Sequence, residues 1–214
     1  FDINSEEYDP NFYRKTEKLY VLGQEALLYQ DYNTIDFVKQ EIDNLLKSDL
    51  ASLYFNGDKD TEHSFRMEMS LYVDSMSLGD YRYSVEQRQK TVDSFSEIMP
   101  KRYLFNDLLI VFYTRVIDFY LETNQFEEAE YFSMLCLARI SSEHNILANY
   151  LIQIFTRLFY IQAVQGKTKY LNSLGKIIEQ IDNKHPWFAL RASSLHSMSY
   201  VAIASAAIGN LPYA

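Results

Sequence analysis

The sequence predicts an all-α fold, a solenoid in which pairs of helices stack one after another. Apolar, helix-like stretches break at a turn residue every 42 to 46 residues, and in most cases a second amphipathic stretch follows. A near-constant period of helix pairs indicates a repeat array rather than one closed core. The composition agrees, since 48% of the 214 residues are hydrophobic and only 6 are Gly and 4 are Pro. The turn residues are Asn33, Gly79, Asn124, Gly166 and Gly209.

Local signals delimit the first two predicted pairs. The first pair covers about 10–56, with helices over 10–31 and 34–55, and Pro10 suits the first turn of a helix. The second pair, about 58–99, opens after a polar stretch and closes at a proline. Apolar residues at helical spacing give both pairs one face that can be buried.

The remaining pairs follow the same pattern. The third, about 100–141, has the clearest apolar stripe, and the fourth, about 142–184, opens at Ser141 and Ser142, whose hydroxyls suit a helix N-cap. The fifth, about 186–214, lacks its second helix within the sequence. We therefore expect about five helix pairs, the last of them incomplete, in a single repeat domain cut from a longer chain.

Part of the third pair resembles a tetratricopeptide repeat (TPR). Within 116–138, Tyr120 and Ala129 occupy the bulky and small positions of that motif. Tyr29 and Val38 show the same nine-residue spacing in the first pair. The resemblance implies a right-handed TPR-like superhelix, an α-solenoid.

Charge and cysteine content restrict the class of partner. The formal net charge is -9, which argues against nucleic-acid binding by this chain alone, because phosphate neutralisation needs clustered Lys and Arg. We interpret the single cysteine, Cys136, as a small buried residue in a reducing compartment. No run reaches the about eighteen apolar residues of a membrane span, and the given sequence does not open with a signal-peptide pattern. We expect a cytoplasmic protein without a membrane contact.

Polar residues on the first helix of each pair are the candidate ligand contacts, because in a TPR-like superhelix those helices line the concave surface. Amides and guanidinium groups can bond the main chain of an extended peptide, and Arg can bind a terminal carboxylate. For any single residue the alternative is a solvated side chain or a polar contact between helices. The candidate peptide-binding residues are Arg66, Asn106, Thr114, Arg115, Asp118, Asn149, Gln153, Thr156 and Arg157.

The sequence contains no catalytic or metal-binding motif that we recognise. His63, His144, His185 and His196 have no His or Cys partner three or four residues later. The acidic residues around Glu130 suit the N-terminus of a helix, where the helix dipole favours them, and we assign them no other role. We predict no enzymatic activity, no metal and no cofactor.

Two stretches carry a family resemblance: Tyr103–Ile110 leading into Tyr120–Ala129, and Phe159–Gly166 leading into Lys169–Leu171. Because of these stretches, the chain as a whole resembles the C-terminal domain of the Rgg/GadR/MutR transcriptional regulators. These regulators are quorum-sensing peptide receptors of Gram-positive bacteria. The resemblance implies a cytoplasmic homodimer that binds a short signalling peptide in its concave groove. It also implies DNA binding only through an N-terminal helix-turn-helix that this sequence lacks.

A scaffold is the alternative function. A TPR-like adaptor subunit would bind a protein surface through a broader apolar patch, for which the last helix, rich in Ala and Ser, is a candidate. Such a scaffold would have no affinity for short hydrophobic peptides.

Overall fold

The structure is a computed structural model, and all of its named elements are α-helices. The prediction of an all-α fold is therefore confirmed for the part of the chain that the structure describes. The turn predicted at Gly209 and the start of the fifth pair near 186 lie outside that part. The described residues are 10–49, 53–55, 57–96, 106–141, 148–167, 169, 171–184, 199–204 and 206.

The helices follow the predicted order, and two boundaries differ from the prediction by more than two residues. The second helix of the first pair ends at Lys47, eight residues before the predicted end, where Ser48 caps it. Ser141 is the last residue of a helix and does not begin the next one. The bounds are α1 Pro10–Tyr29, α2 Tyr32–Lys47, α3 Lys59–Leu78, α4 Val85–Ser96, α5 Asn106–Glu122, α6 Phe126–Ser141, α7 Ala148–Val164 and α8 Leu171–Lys184, and residues 199–204 are also helical.

Short-range side-chain bonds set where several helices start. The carboxylate of Asp31 accepts hydrogen bonds from the backbone N–H and the hydroxyl of Thr34, at 3.2 and 2.7 Å, at the start of α2. Asp58 and Thr61 repeat this arrangement at the start of α3. Each pair satisfies a backbone donor that a helix start leaves open, so these boundaries depend on local sequence.

Three turns share one backbone geometry. Gln30, Asn124 and Gly166 have φ of 52, 59 and 68°. In each turn the N–H of that residue bonds to the carbonyl three residues earlier, and the next N–H bonds to the carbonyl five residues before it, as in a Schellman motif. The first turn residue is therefore Gln30. The prediction of Asn33 is wrong, because Asn33 lies in the first turn of α2.

This turn geometry also corrects the alignment of the first pair. With Gln30 placed on Asn124, Ile35 falls on Ala129, and both side chains are fully buried. Aligning Asn33 with Asn124 instead places Val38 on Ala129, which is one helical turn too far. Val38 instead falls on Phe132.

The chain divides into two compact units, Phe1–Phe112 (unit 1) and Tyr113–Ala214 (unit 2). In unit 1, α1 packs against α2 and α3, α2 packs against α3, and α3 packs against α4. Whether both units form a single domain stays a prediction. The buried core of unit 1 contains Leu19, Ala26, Leu27, Ile35, Val38, Ile42, Leu45, Phe65, Met69, Tyr72 and Met76.

Unit 2 has its own core. The helix α7 packs against α6 and α8. On α5, the rings of Tyr113 and Tyr120 lie 6.5 and 5.5 Å from that of Phe132 on α6. The buried core formed by α7, α8 and 199–204 contains Ile152, Phe159, Ala163, Leu171, Ile178, Val201 and Ala204.

Candidate ligand site

The candidate residues are divided between the two units. Arg66 lies on α3 in unit 1, and Asn106 is the first residue of α5 in the same unit. The other candidates belong to unit 2, on α5 and α7. The side chains of Asn106 and Asn149 lie outside the described part of the structure. The unit 2 candidates are Thr114, Arg115, Asp118, Asn149, Gln153, Thr156 and Arg157.

Asp118 and Arg157 form a buried ion pair between α5 and α7. The Nε of Arg157 donates to Oδ1 of Asp118 at 2.6 Å, and Nη2 donates to Oδ2 at 2.7 Å. Arg157 is 3% exposed and Asp118 7% exposed. The remaining Nη1 donates to the carbonyl of Gln153 at 2.8 Å. A bidentate, charge-assisted hydrogen bond of this kind fixes the orientation of both side chains.

Tyr200, which is not among the candidates predicted from the sequence, completes this cluster. Its hydroxyl donates to Oδ1 of Asp118 at 2.9 Å, and its ring centroid lies 5.3 Å from Cζ of Arg157. The ring also meets that of Tyr160 edge-on at 5.4 Å. A signal was present: Tyr200 lies nine residues before Gly209, as Arg157 does before Gly166.

Burial and charge act in opposite directions on the guanidinium of this cluster. Burial disfavours the charged form of Arg157, but the Asp118 carboxylate outweighs it, so the pKa of Arg157 is raised. Burial raises the pKa of the Tyr200 hydroxyl, and the negative charge of Asp118 raises it further. The cluster thus holds a charged guanidinium and a neutral phenol.

Thr114 and Thr156 are also buried. The hydroxyl of Thr156 donates back to the carbonyl of Ile152 at 2.8 Å, within its own helix. Among the described candidates on α5 and α7, Arg115 and Gln153 are the half-buried ones. These two are therefore the best placed for a ligand approaching from solvent.

Arg66 is half-buried and joins two helices of unit 1. Its guanidinium contacts Glu62 at 2.7 Å and donates to the backbone carbonyl of Leu46, near the end of α2. Arg66 thus stabilises the packing of α3 on α2. Its role in ligand binding stays a prediction.

Unit 1 also contains an ion-pair network whose residues are not among the candidates predicted from the sequence. Asp80, fully buried after α3, accepts hydrogen bonds from the backbone N–H and the guanidinium of Arg82, and Lys39 lies 3.6 Å away. Arg82 also bonds both carboxylate oxygens of Asp36 on α2, at 2.9 and 2.6 Å. Burial opposes ionisation of Asp80, but the bonds from Arg82 outweigh it and lower its pKa.

Glu130 has a role beyond the helix dipole, which corrects the sequence interpretation. Its two carboxylate oxygens accept from Gln162 on α7 and from Lys167 in the following turn, at 2.7 and 2.6 Å. Glu130 therefore ties α6 to the end of α7.

The described residues contain no group of three or more His, Cys, Asp or Glu side chains that could hold a metal ion. Cys136 is fully buried as expected, and burial raises the pKa of its thiol to about 12. Among the helices described, none is long and apolar enough to cross a membrane.

Comparison with known proteins places the chain in no family: no family model matches it, nor does any curated protein or solved structure. The relation to the Rgg/GadR/MutR regulators stays a resemblance of sequence pattern.

Proposed function

We propose that the chain is the peptide-binding domain of a cytoplasmic transcriptional regulator of the Rgg/GadR/MutR type. It is a right-handed TPR-like superhelix that binds a short signalling peptide along the first helices of its pairs. The regulator acts as a homodimer and contacts DNA through a separate helix-turn-helix domain.

One observation carries the repeat architecture in this proposal: both units show the same kinds of helix contact. In unit 1 the first helix α1 contacts its partner α2 and the next first helix α3, while α2 also contacts α3. In unit 2, α7 contacts its partner α8 and the preceding second helix α6, and the Asp118 pair joins it to α5. Contacts between successive pairs are typical of stacked helical repeats.

A second correspondence supports the same architecture. Asp36 and Glu130 are the fifth residues of α2 and α6. Each carboxylate bonds to a basic residue just beyond the next first helix, Arg82 in unit 1 and Lys167 in unit 2. Equivalent positions thus make equivalent bonds, which is typical of repeats.

The half-buried Arg115 and Gln153 are the proposed ligand contacts. Both lie on first helices of unit 2, and their guanidinium and amide groups suit the backbone of an extended peptide. The bonds between the buried Asp118 and Arg157 hold α5 and α7 together. In this proposal the ion pair supports the site.

A display library of random octapeptides with free C-termini tests the proposal. We expect a selected peptide to bind the protein in isothermal titration, and Arg115→Ala and Gln153→Ala each to weaken binding by about tenfold or more. The exposed Arg14→Ala and Gln40→Ala are matched controls that should not change the affinity. The proposal is wrong if no octapeptide binds, or if all four variants bind equally.

The scaffold function is a second candidate because of the outer face of α6. Tyr131 and Met134 are 60% and 56% exposed, and Ala138 is exposed one turn further along the same face. Such a stripe could dock a partner helix. The scaffold function predicts instead that no short hydrophobic peptide binds, and that binding of a partner protein is lost in Met134→Lys and retained in Arg115→Ala.

A further inference from the structure

The helix α3 presents one strip of residues to solvent. After its first turn, its exposed residues are His63 and Ser70, and the half-buried Asp74 follows one turn later on the same side. This side points away from the core of unit 1, because Asp74 lies about 160° around the helix from both Tyr72 and Met76. A ligand that contacts α3 from solvent therefore meets this strip.

Asp74 carries a carboxylate that no neighbour bonds. Among the residues that the structure describes, none donates a hydrogen bond to Asp74 or forms an ion pair with it. Its neighbours on the strip, Ser70 and Ser77, lie one turn to either side, and the hydroxyl of Ser77 donates back to the carbonyl of Val73 at 3.1 Å. Because both serines are small, they leave the carboxylate accessible from solvent.

The charges nearby do not neutralise this carboxylate. Among the described residues, Lys39 on α2 is the one charged group that affects the pKa of Asp74, and burial raises this pKa more than Lys39 lowers it. Lys39 is itself 3.6 Å from Asp80. In that network, Lys39 and Arg82 already match the carboxylates of Asp36 and Asp80. Asp74 therefore adds a negative charge that the network does not balance.

We propose that Asp74 binds a positively charged group of the peptide ligand: a lysine ammonium, an arginine guanidinium or the N-terminal ammonium. This inference rests on the proposed function and adds that the ligand carries a positive charge. A half-buried carboxylate without a partner gains a charge-assisted hydrogen bond from such a group, and no existing bond has to break. The net charge of -9 also attracts a cationic ligand at longer range.

Isothermal titration of synthetic octapeptides selected on the wild-type protein tests this inference. Each peptide is prepared in four forms: as selected, with an acetylated N-terminus, with norleucine in place of Lys and Arg, and with both changes. We expect Asp74→Asn to weaken binding of the selected form by about tenfold or more, and to leave the affinity of the doubly changed form unaltered. The single change that removes the effect of Asp74→Asn identifies the bound group. The exposed Asp93→Asn is the matched control and should bind all four forms as the wild type does.

The outcomes separate this inference from the proposed function. If no octapeptide binds the wild type, both fail. If octapeptides bind but Asp74→Asn does not change their affinity, or weakens all four forms equally, the inference alone fails. Urea unfolding of the free protein is a second measurement. Because Asp74→Asn removes a half-buried charge without a partner, it should not lower the free energy of unfolding. A clear loss of stability would make Asp74 a structural residue and would overturn the inference.

Discussion

Each unit contains a buried aspartate held by an arginine, yet the two pairs are built differently. In unit 2, Asp118 and Arg157 lie 39 residues apart in sequence, and both are almost completely buried. In unit 1, Asp80 and Arg82 are two residues apart, and the arginine side chain is 38% exposed. Asp80 also has Lys39 nearby and a backbone N–H as donor.

The difference shows that the loss of stability on breaking an ion pair depends on how deeply the pair is buried and on how many other groups bond the aspartate. Asp118 pairs with Arg157 in a site with little solvent, so losing Arg157 removes the positive charge that compensates the buried carboxylate. Asp80 keeps Lys39 and a backbone bond if Arg82 is lost, and water reaches the guanidinium. We therefore expect unit 2 to be the more sensitive to a single substitution in its cluster.

The largest effect should come from Arg157→Ala. This substitution leaves the buried Asp118 carboxylate without the charge of Arg157. Breaking a buried pair in this way lowers the free energy of unfolding by about 3–5 kcal/mol. Urea unfolding followed by circular dichroism measures this loss. Arg82→Ala is the matched variant of unit 1 and should lose clearly less. Equal losses in the two variants would contradict the comparison.

A smaller loss should follow Gly23→Ala in unit 1. A methyl group there would lie 2.3 Å from the hydroxyl oxygen of Tyr72, which is itself bonded to the carbonyl of Tyr20 at 2.6 Å. Alanine normally stabilises a helix relative to glycine, but overpacking here should cost about 1–3 kcal/mol. In the Tyr72→Phe background the same substitution should cost less. Urea unfolding of the wild type, the two single variants and the double variant gives the coupling energy between positions 23 and 72. If Gly23→Ala is stabilising, the close packing of α1 on α3 is wrong.

The loss of stability at alkaline pH should depend on Tyr200 in unit 2. The pKa of Tyr200 is raised in the folded protein, so its contribution is complete below its unfolded pKa of about 10 and is lost as the pH rises beyond that value. Between about pH 9 and about pH 11, the wild type should lose about 1 kcal/mol more than Tyr200→Phe. Urea unfolding across this range measures the difference, with Tyr131→Phe as control. Parallel curves for wild type and Tyr200→Phe would rule out this role of Tyr200.

The smallest effect on stability should be seen at acidic pH, and it should come from Asp80 in unit 1. The pKa of Asp80 is lowered, so its contribution is present above the ordinary aspartate pKa of about 4 and is lost as the pH falls through the lower folded value. Asp80→Asn should therefore flatten the fall of stability below about pH 4. The exposed Asp93→Asn should keep the wild-type slope. An unchanged slope in Asp80→Asn would show that the network does not stabilise unit 1.

Much of the fold could be predicted because its signals are local. The turns at Asn124 and Gly166 were found where the structure has them, since each is formed within about six residues. The predicted position of the first turn is three residues too late. Glutamine, the residue at position 30, rarely adopts the left-handed conformation, whereas asparagine, the residue at position 33, adopts it more often. Backbone hydrogen bonds decided the position there.

The candidate site was less predictable. Helical spacing placed Asp118 and Arg157 on first helices, but it could not show that the two side chains bond to each other. A polar residue facing a groove and one buried between helices have the same spacing in sequence. Tyr200 was missed because an aromatic residue on an apolar helix is usually part of the core.

The sequence by itself determined the helices, their caps and most of the turns, because these depend on neighbours within one or two helical turns. Only the tertiary structure decided that Asp118 accepts bonds from Arg157, which is 39 positions away in sequence, and from Tyr200, which is 82 positions away. The physical reason is that burial, and with it the strength of an ion pair, depends on which helices pack together. Local periodicity leaves that choice open.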